Sequence, residues 1–347
     1  MTSTFSLKQS TAHVLHQIIT KPLWINSTSK AKLPQPVFIS GPPRSGTTWI
    51  LETLETMLNA RRHWEPIKGF EQDFFKTQDK PLRGGGYRPQ IFNATDLPEL
   101  QSFIHDVMND GCPTHIARLK NPNLSPFANL TRLSNANVTI VKFTASQRLI
   151  PWLGSQFENR GLNILRNPIA TISSQIKNRP PNYKDNLSIA RFNEQTLSRY
   201  SFLKPFYNKE ISRELRLAIN VCIDFCIPLH DQNTYEHHAY LAYEDLIDRP
   251  ELFTVIPNFW TLSDHVQNIQ VDSTKPSSTT KAGSNVLVGG DPRLSWKKTI
   301  SDELLFTIRE LMDNFGIDCY SEAPEFHHDK ASILQSRKII GYGNLSI

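Results

Sequence analysis

Short apolar runs, separated by longer stretches of helical spacing, set the plan of this chain. Val37, Phe38 and Ile39 form an unbroken apolar run between Pro36 and Gly41, the pattern of a buried strand. A turn rich in glycine and proline follows, and then Ile50, Leu51, Leu54 and Leu58 recur at helical spacing, which predicts a helix over 49–58. Val138-Thr-Ile-Val-Lys142 is strongly β-branched and predicts a second buried strand. Leu162-Asn-Ile-Leu165 predicts a third and Ala239-Tyr-Leu-Ala-Tyr243 a fourth. Helical spacing fills much of the interval between strands. It covers 149–157, 168–177 with Pro168 at the first helical position, about 187–229 with a break at Pro205, and 251–260. A last helix over 302–314 opens on the capping pattern Ser301-x-x-Leu304. Strands alternating with helices predict a three-layer α/β/α fold with a mainly parallel sheet.

Elsewhere the pattern breaks down. Arg61-Arg-His-Trp-Glu-Pro66 leaves the first helix, and Pro66 is expected to stop any regular element. Residues 67–134 are irregular apart from a helix over 96–109 capped by Thr95 or Asp96, with a flexible turn at Arg83-Gly-Gly-Gly-Tyr87. This stretch reads as an excursion from the sheet, of the kind that carries acceptor specificity. Residues 272–290 are rich in Ser, Thr, Gly and Lys and read as a long mobile loop, and the chain after Pro324 is polar and loosely patterned. The expected organisation is therefore a lead-in over 1–32 with a weakly amphipathic helix at 8–20, one domain over 33–320, and a tail over 321–347.

Composition narrows the class. The chain has 347 residues, 39% hydrophobic and 20% charged, which is ordinary for a globular enzyme. A net charge of +5 without basic runs suits a small polyanionic ligand and gives no sign of a nucleic-acid arm. Cys112, Cys222, Cys226 and Cys319 form no Cys-x-x-Cys pair, so they read as buried thiols in a reducing compartment. His13, His16, Gln17 and Lys21 interrupt the N-terminal stretch, which therefore reads as neither signal peptide nor membrane anchor. The Asn93 and Asn137 sequons read as chance, and the expectation is a cytoplasmic protein with no membrane span. His237-His238 and His327-His328 lack partners at ligand spacing and read as surface residues, with no metal expected.

The chemistry centres on Gly41 to Thr48. A strand, a tight glycine loop and a helix start together make an anion site, because unpaired amides and the positive end of the helix dipole point into the loop. The spacing approaches the triphosphate loop G-x-x-x-x-G-K-[ST]: Gly41, Gly46 and Thr48 fit, but position 47 is threonine rather than lysine. The loop's positive charge is Arg44 instead. A P-loop kinase or other NTPase is thus the alternative reading, with Asp245 as its best magnesium ligand, and the missing lysine argues against it. A second basic position, Arg166, ends the third strand, and Ser174 lies about two helical turns beyond it and can face back. An arginine fork suits a terminal phosphate.

Pro43-Arg-Ser-Gly-Thr-Thr-Trp49 resembles the 5′-phosphosulfate loop of sulfotransferases that use 3′-phosphoadenosine 5′-phosphosulfate (PAPS). Arg166-Asn-Pro168 with Ser174 eight residues on resembles that family's 3′-phosphate motif. The resemblance implies that Arg44, Ser45, Gly46, Thr47 and Thr48 hold the 5′-phosphate, that Trp49 stacks on adenine, and that Arg166 and Ser174 hold the 3′-phosphate. Lys142 lies twenty-four residues before Arg166, where the cytosolic branch has a catalytic lysine, but that branch's histidine is replaced by Thr144. Glutamate-using relatives, among them tyrosylprotein, carbohydrate and bacterial sulfotransferases, place the base twenty-one residues after the loop arginine in the tyrosylprotein case, and here that residue is Glu65. His63 is the rival base and His115 a more distant one. Tyr243-Glu-Asp-Leu246 resembles a mainly structural family motif, and Ser295-Trp-Lys-Lys298 resembles the end of a late nucleotide-covering loop, in which Arg293 or Lys281 replaces missing basic contacts. The resemblance spans 36–314 but fails over 67–134. It implies sulfuryl transfer to a hydroxyl of a small molecule, carbohydrate or tyrosyl group, and does not indicate the acceptor or the oligomeric state. A binding module without catalysis is a third reading that no residue favours.

Overall fold

The structure is a computed structural model that describes residues 16–30, 33–67, 98–112, 119, 121–144, 146–158, 160–178, 194–206, 209–272, 276–280, 287, 290–330 and 338–341. Its centre is a six-stranded sheet, parallel throughout, flanked by helices on both faces. The strands are β1 (Val37–Gly41), β2 (Arg61–Trp64), β3 (Thr139–Thr144), β4 (Gly161–Leu165), β5 (Ala239–Ala242) and β6 (Lys338–Ile339), in the spatial order β2-β3-β1-β4-β5-β6. The three-layer α/β/α expectation therefore holds.

Successive side chains on a strand point to opposite faces, and each central strand feeds two cores. Val37 and Ile39 of β1, Leu162 and Ile164 of β4, and Ala239 and Leu241 of β5 pack with Trp49, Leu54 and Phe253 on one face. On the other, Leu165, Tyr240 and Ala242 meet helices Pro168–Asn178, Arg213–His230 and Asp302–Phe315. Phe38, Val141 and Phe143 extend that second face to helix Pro98–Met108 and helix Ile150–Gln156. Strands buried on both faces read as continuous apolar runs, which is why these were predicted.

Two strands were not. β2 carries Arg61 and Arg62, both essentially unexposed. Arg61 is paired with Asp110 and donates to Thr139 Oγ1 at 2.9 Å, and Arg62 is paired with Glu55 through both carboxylate oxygens. Charge pairing makes a strand of a sequence that apolar patterning cannot recognise; β2 ends at Trp64, and Pro66, expected to stop any regular element, is itself helical. β6 comes from the stretch read as tail, and it pairs Lys338 with Ala239 and Ile339 with Tyr240.

Helix Pro126–Asn135, capped by Ser125, was likewise unforeseen within 67–134, whereas helix Pro98–Met108 matches the expected one there. The expected lead-in over 1–32 contains a further helix, Lys21–Lys30, that buries Trp24 against Arg61, with the guanidinium 3.6 Å from the ring centre. Tyr243 opens a helix, Tyr243–Asp248, instead of ending β5. Cys222, Cys226 and Cys319 are buried free thiols as expected, while Cys112 is half-buried. The expected turn at 83–87, residues 187–193 of the expected 187–229 helical stretch and most of the 272–290 loop lie outside the described residues. Among the described residues no helix is long and apolar enough to cross a membrane.

Candidate functional site

The loop leaves β1 at Gly41 and enters helix Thr47–Met57 at Gly46. Both glycines are required by packing. A Cβ on Gly41 would sit 2.5 Å from Ser45 Oγ, and one on Gly46 would sit 2.4 Å from the Tyr243 ring, at a left-handed φ of 90°. Arg44 also adopts a left-handed φ of 76°, and Glu65 one of 44°. Neither is a glycine, asparagine or aspartate, so both conformations carry strain. The helix start has no side-chain cap, unlike the starts at Ser125, Ser212 and Ser301. Its first amides are therefore available to an anion. Ser45 Oγ is wholly buried and has no hydrogen-bond partner among the described residues.

One side of the loop is an arginine pole. Helix Pro168–Asn178 lays Ser174 and Gln175 against the loop: Ser174 Oγ accepts from Arg44 Nε at 3.2 Å and Pro43 O accepts from Gln175 Nε2 at 2.9 Å. Arg166, at the end of β4, donates to Arg44 O at 2.7 Å and to Pro292 O at 3.3 Å, with its guanidinium 4.5 Å from the centre of the Tyr243 ring. The sequence placed Ser174 beside Arg166; its hydrogen bond goes to Arg44. Burial, and then the nearby Arg166 charge, lower the Arg44 pKa. Among the described residues no carboxylate is hydrogen-bonded to either guanidinium, and Arg166 Nε is buried without a partner.

The other side is a lysine–glutamate pole. Lys142 lies on β3 and Glu65 directly follows the adjacent strand β2, and Glu65 N donates to Lys142 O at 2.9 Å. Lys142 Nζ lies 3.6 Å from Glu65 Oε1, donates to Thr48 Oγ1 at 2.8 Å, and sits 3.8 Å from the centre of the Trp64 ring. Thr144 Oγ1 donates to the same Glu65 oxygen. Thr144, standing where a histidine base was sought, thus orients the glutamate. His63 lies two residues earlier, on β2, with its ring edge-on to Trp24 at 6.4 Å. Strand alternation would group positions 63 and 65 on one face, and the left-handed φ of Glu65 takes it out of that alternation.

Other expected site residues lie elsewhere. Trp49 is 8% exposed, packed edge-on to Phe253 and Tyr243 with ring centres 5.3 and 5.9 Å away. Arg293 is claimed by Asp291 and Asp248 at 2.7–3.0 Å, and its hydrogen bonds to Asp291 raise its pKa. Asp245 bonds His328 Nε2 at 2.8 Å and pairs with Arg249 at 3.2 Å. His115 and Lys281 fall outside the described residues. Tyr243 and Gln175 were not foreseen as site residues. The Tyr243-Glu-Asp-Leu246 resemblance was the available signal for the first, and nothing in the sequence marked the second. No family model matches this chain, and no curated protein matches it.

Proposed function

We propose that this protein is a PAPS-dependent sulfotransferase acting on a hydroxyl acceptor. The observation that carries the reading is the pair of guanidiniums, Arg44 and Arg166, crowded at one uncapped helix start without a hydrogen-bonded carboxylate among the described residues. Like charges held close in a part-buried site cost free energy until an anion neutralises them. The orphaned Arg166 Nε and Ser45 Oγ fit the same requirement. An uncapped helix start with an arginine pair beside it suits a nucleotide phosphorylated at both 3′ and 5′ positions.

In this reading PAPS supplies an activated sulfuryl group. The first amides of helix Thr47–Met57 and the Thr47 and Thr48 hydroxyls hold its 5′-phosphate, while Arg166, with Ser174 on the loop's flank, holds its 3′-phosphate. Arg44 and Lys142 stabilise the negative charge that develops on the bridging oxygen. Glu65 takes the acceptor hydroxyl's proton, with Thr144 and Lys142 fixing its carboxylate. Trp49 packs against Phe253 and Tyr243, and any stacking on adenine would need its indole to leave that packing. The test is calorimetry with adenosine 3′,5′-bisphosphate against ATP plus magnesium, followed by turnover of labelled PAPS over an acceptor panel. Tight bisphosphate binding with sulfated product supports the reading. Preference for magnesium–ATP would overturn it in favour of an NTPase.

A further inference from the structure

The stretch following helix Asp302–Phe315 folds back over the turn that carries Arg166. We infer that Glu244, held by Tyr320, is a positioning residue for Arg166, and that residues 319–328 are thereby a working part of the anion site. The inference rests on the sulfotransferase reading only in naming the anion as a nucleotide 3′-phosphate.

Glu244 is 1% exposed, and its two oxygens are divided between two partners. Oε1 accepts from Asn167 N at 3.0 Å, and Oε2 accepts from the Tyr320 hydroxyl at 2.8 Å. Asn167 directly follows Arg166, and its side chain is also fully used. Its Oδ1 accepts from Ile169 N at 2.9 Å, and its Nδ2 donates to Ser321 O at 2.9 Å and Ala323 O at 3.4 Å. The peptide joining Arg166 to Asn167 is therefore fixed from the buried side by Glu244 and from the C-terminal segment by Ser321 and Ala323. The Arg166 side chain then leaves that turn across the ring of Tyr243, the residue before Glu244. Residue 245 is tied to the same segment through His328. Three consecutive residues thus connect β5, the arginine turn and the C-terminal stretch.

A bystander carboxylate and a positioning one predict opposite signs. Removing a negative charge near Arg166 should raise anion affinity by electrostatics alone. Loosening the turn should lower it, and only for the anion that Arg166 holds. Glu244→Leu removes both hydrogen bonds, Glu244→Gln keeps acceptors and donors for both, and Tyr320→Phe removes one. Calorimetry with adenosine 3′,5′-bisphosphate and with adenosine 5′-monophosphate should show Glu244→Leu weakening the bisphosphate about tenfold, roughly the worth of one buried hydrogen bond to a charged group, and the monophosphate less than about twofold. Glu244→Gln should stay within about twofold of the parent, and Tyr320→Phe should fall between the two variants.

Hydrogen exchange at the Asn167 amide is the second readout, and it should accelerate by about tenfold or more in Glu244→Leu but not in Glu244→Gln. Unchanged or tighter bisphosphate binding with no faster exchange would overturn the inference. If the parent protein shows no preference for the bisphosphate, the sulfotransferase reading falls and the exchange result alone decides the inference. If Glu244→Leu does not fold, Tyr320→Phe decides it by the same two measurements, since a change in neither would refute the coupling.

Discussion

At one flank of the Gly41–Gly46 loop two guanidiniums face each other, and at the other a lysine is already balanced by a glutamate. Arg44 and Arg166 are held by carbonyls, a serine hydroxyl and a tyrosine ring, and the carboxylates near Arg166, Glu244 and Asp291, are not hydrogen-bonded to it. Lys142 and Glu65 hold one another, and Thr48, Thr144 and Trp64 hold them both. The difference divides the labour. In the proposed reading the arginine pole gains free energy when an anion arrives and so supplies affinity. The lysine–glutamate pole is satisfied beforehand, and in that reading its charges supply placement and a proton acceptor. Both strained non-glycine residues of the site, Arg44 and Glu65, sit one at each pole.

The largest expected effect falls on the pre-paired pole. Glu65→Gln keeps the shape and the Thr144 contact but abolishes the basicity, so turnover should fall about 10²–10⁴-fold. Bisphosphate affinity should stay near that of the parent, and a melting curve should exclude loss of fold, because an unpaired buried Lys142 is costly. His63→Ala on the same acceptor should be milder, since His63 packs toward Trp24. A nearly active Glu65→Gln beside an inactive His63→Ala would transfer the role of base to His63.

The arginine pole should respond in affinity instead. Arg166→Ala should weaken bisphosphate binding by about 1.5–3 kcal/mol, the usual range for a charged hydrogen-bonding partner. Binding of a nucleotide lacking the 3′-phosphate should hardly change, and equal losses for the two would refute the assignment. Arg44→Ala should lower turnover more than it weakens binding. Restoration of chelator-treated enzyme by magnesium would refute the scheme for both poles.

How much of this was legible follows from the physics of each pole. β1, β3 and β4 are apolar on two faces, and Gly41, Arg44, Gly46, Arg166 and Ser174 stand in short local patterns, so the arginine pole could be read from sequence. Glu65 was placed by an offset borrowed from a family, because its strand β2 is built on buried Arg61 and Arg62 whose partners, Asp110 and Glu55, are not marked by any period. Thr144 was noticed only as a missing histidine; its hydrogen bond to Glu65 depends on the pairing of β2 with β3, which is long-range. β6 is two residues long, too short for an alternating pattern to show.

A smaller effect should appear in stability behind the arginine pole. Burial raises the Glu244 pKa to about 6, from an ordinary 4.5. A carboxyl whose folded pKa is raised binds its proton more tightly when folded. Its contribution to stability is present below pH ~4.5 and is lost as pH rises through about 6, up to about 2 kcal/mol in all. Glu244→Gln cannot titrate, so its stability relative to the parent should rise by up to that amount between pH 4.5 and 7. Chemical denaturation at several pH values measures it, and parallel stability curves would show that Glu244 stays charged throughout.

The smallest effect should come from the third arginine near the loop, which isolates what distinguishes the two poles. Arg293 lies next to Pro292, whose carbonyl accepts from Arg166, so it is as near the arginine pole in sequence as a basic residue can be. It differs in having two carboxylates, Asp291 and Asp248, on its guanidinium. A cation neutralised in this way gains little from a new anion, because binding would first have to break those pairs. Asp248 is half-exposed, so that pair is worth no more than about 1 kcal/mol. Arg293→Ala should therefore change bisphosphate affinity by less than about twofold, well below the loss in Arg166→Ala. Asp291→Asn with Asp248→Asn should release Arg293 and strengthen binding, reversing the sign. If Arg293→Ala instead matched Arg166→Ala in the parent background, being paired with carboxylates would not separate binding arginines from structural ones here, and the division between the two poles would have to be redrawn around reach alone.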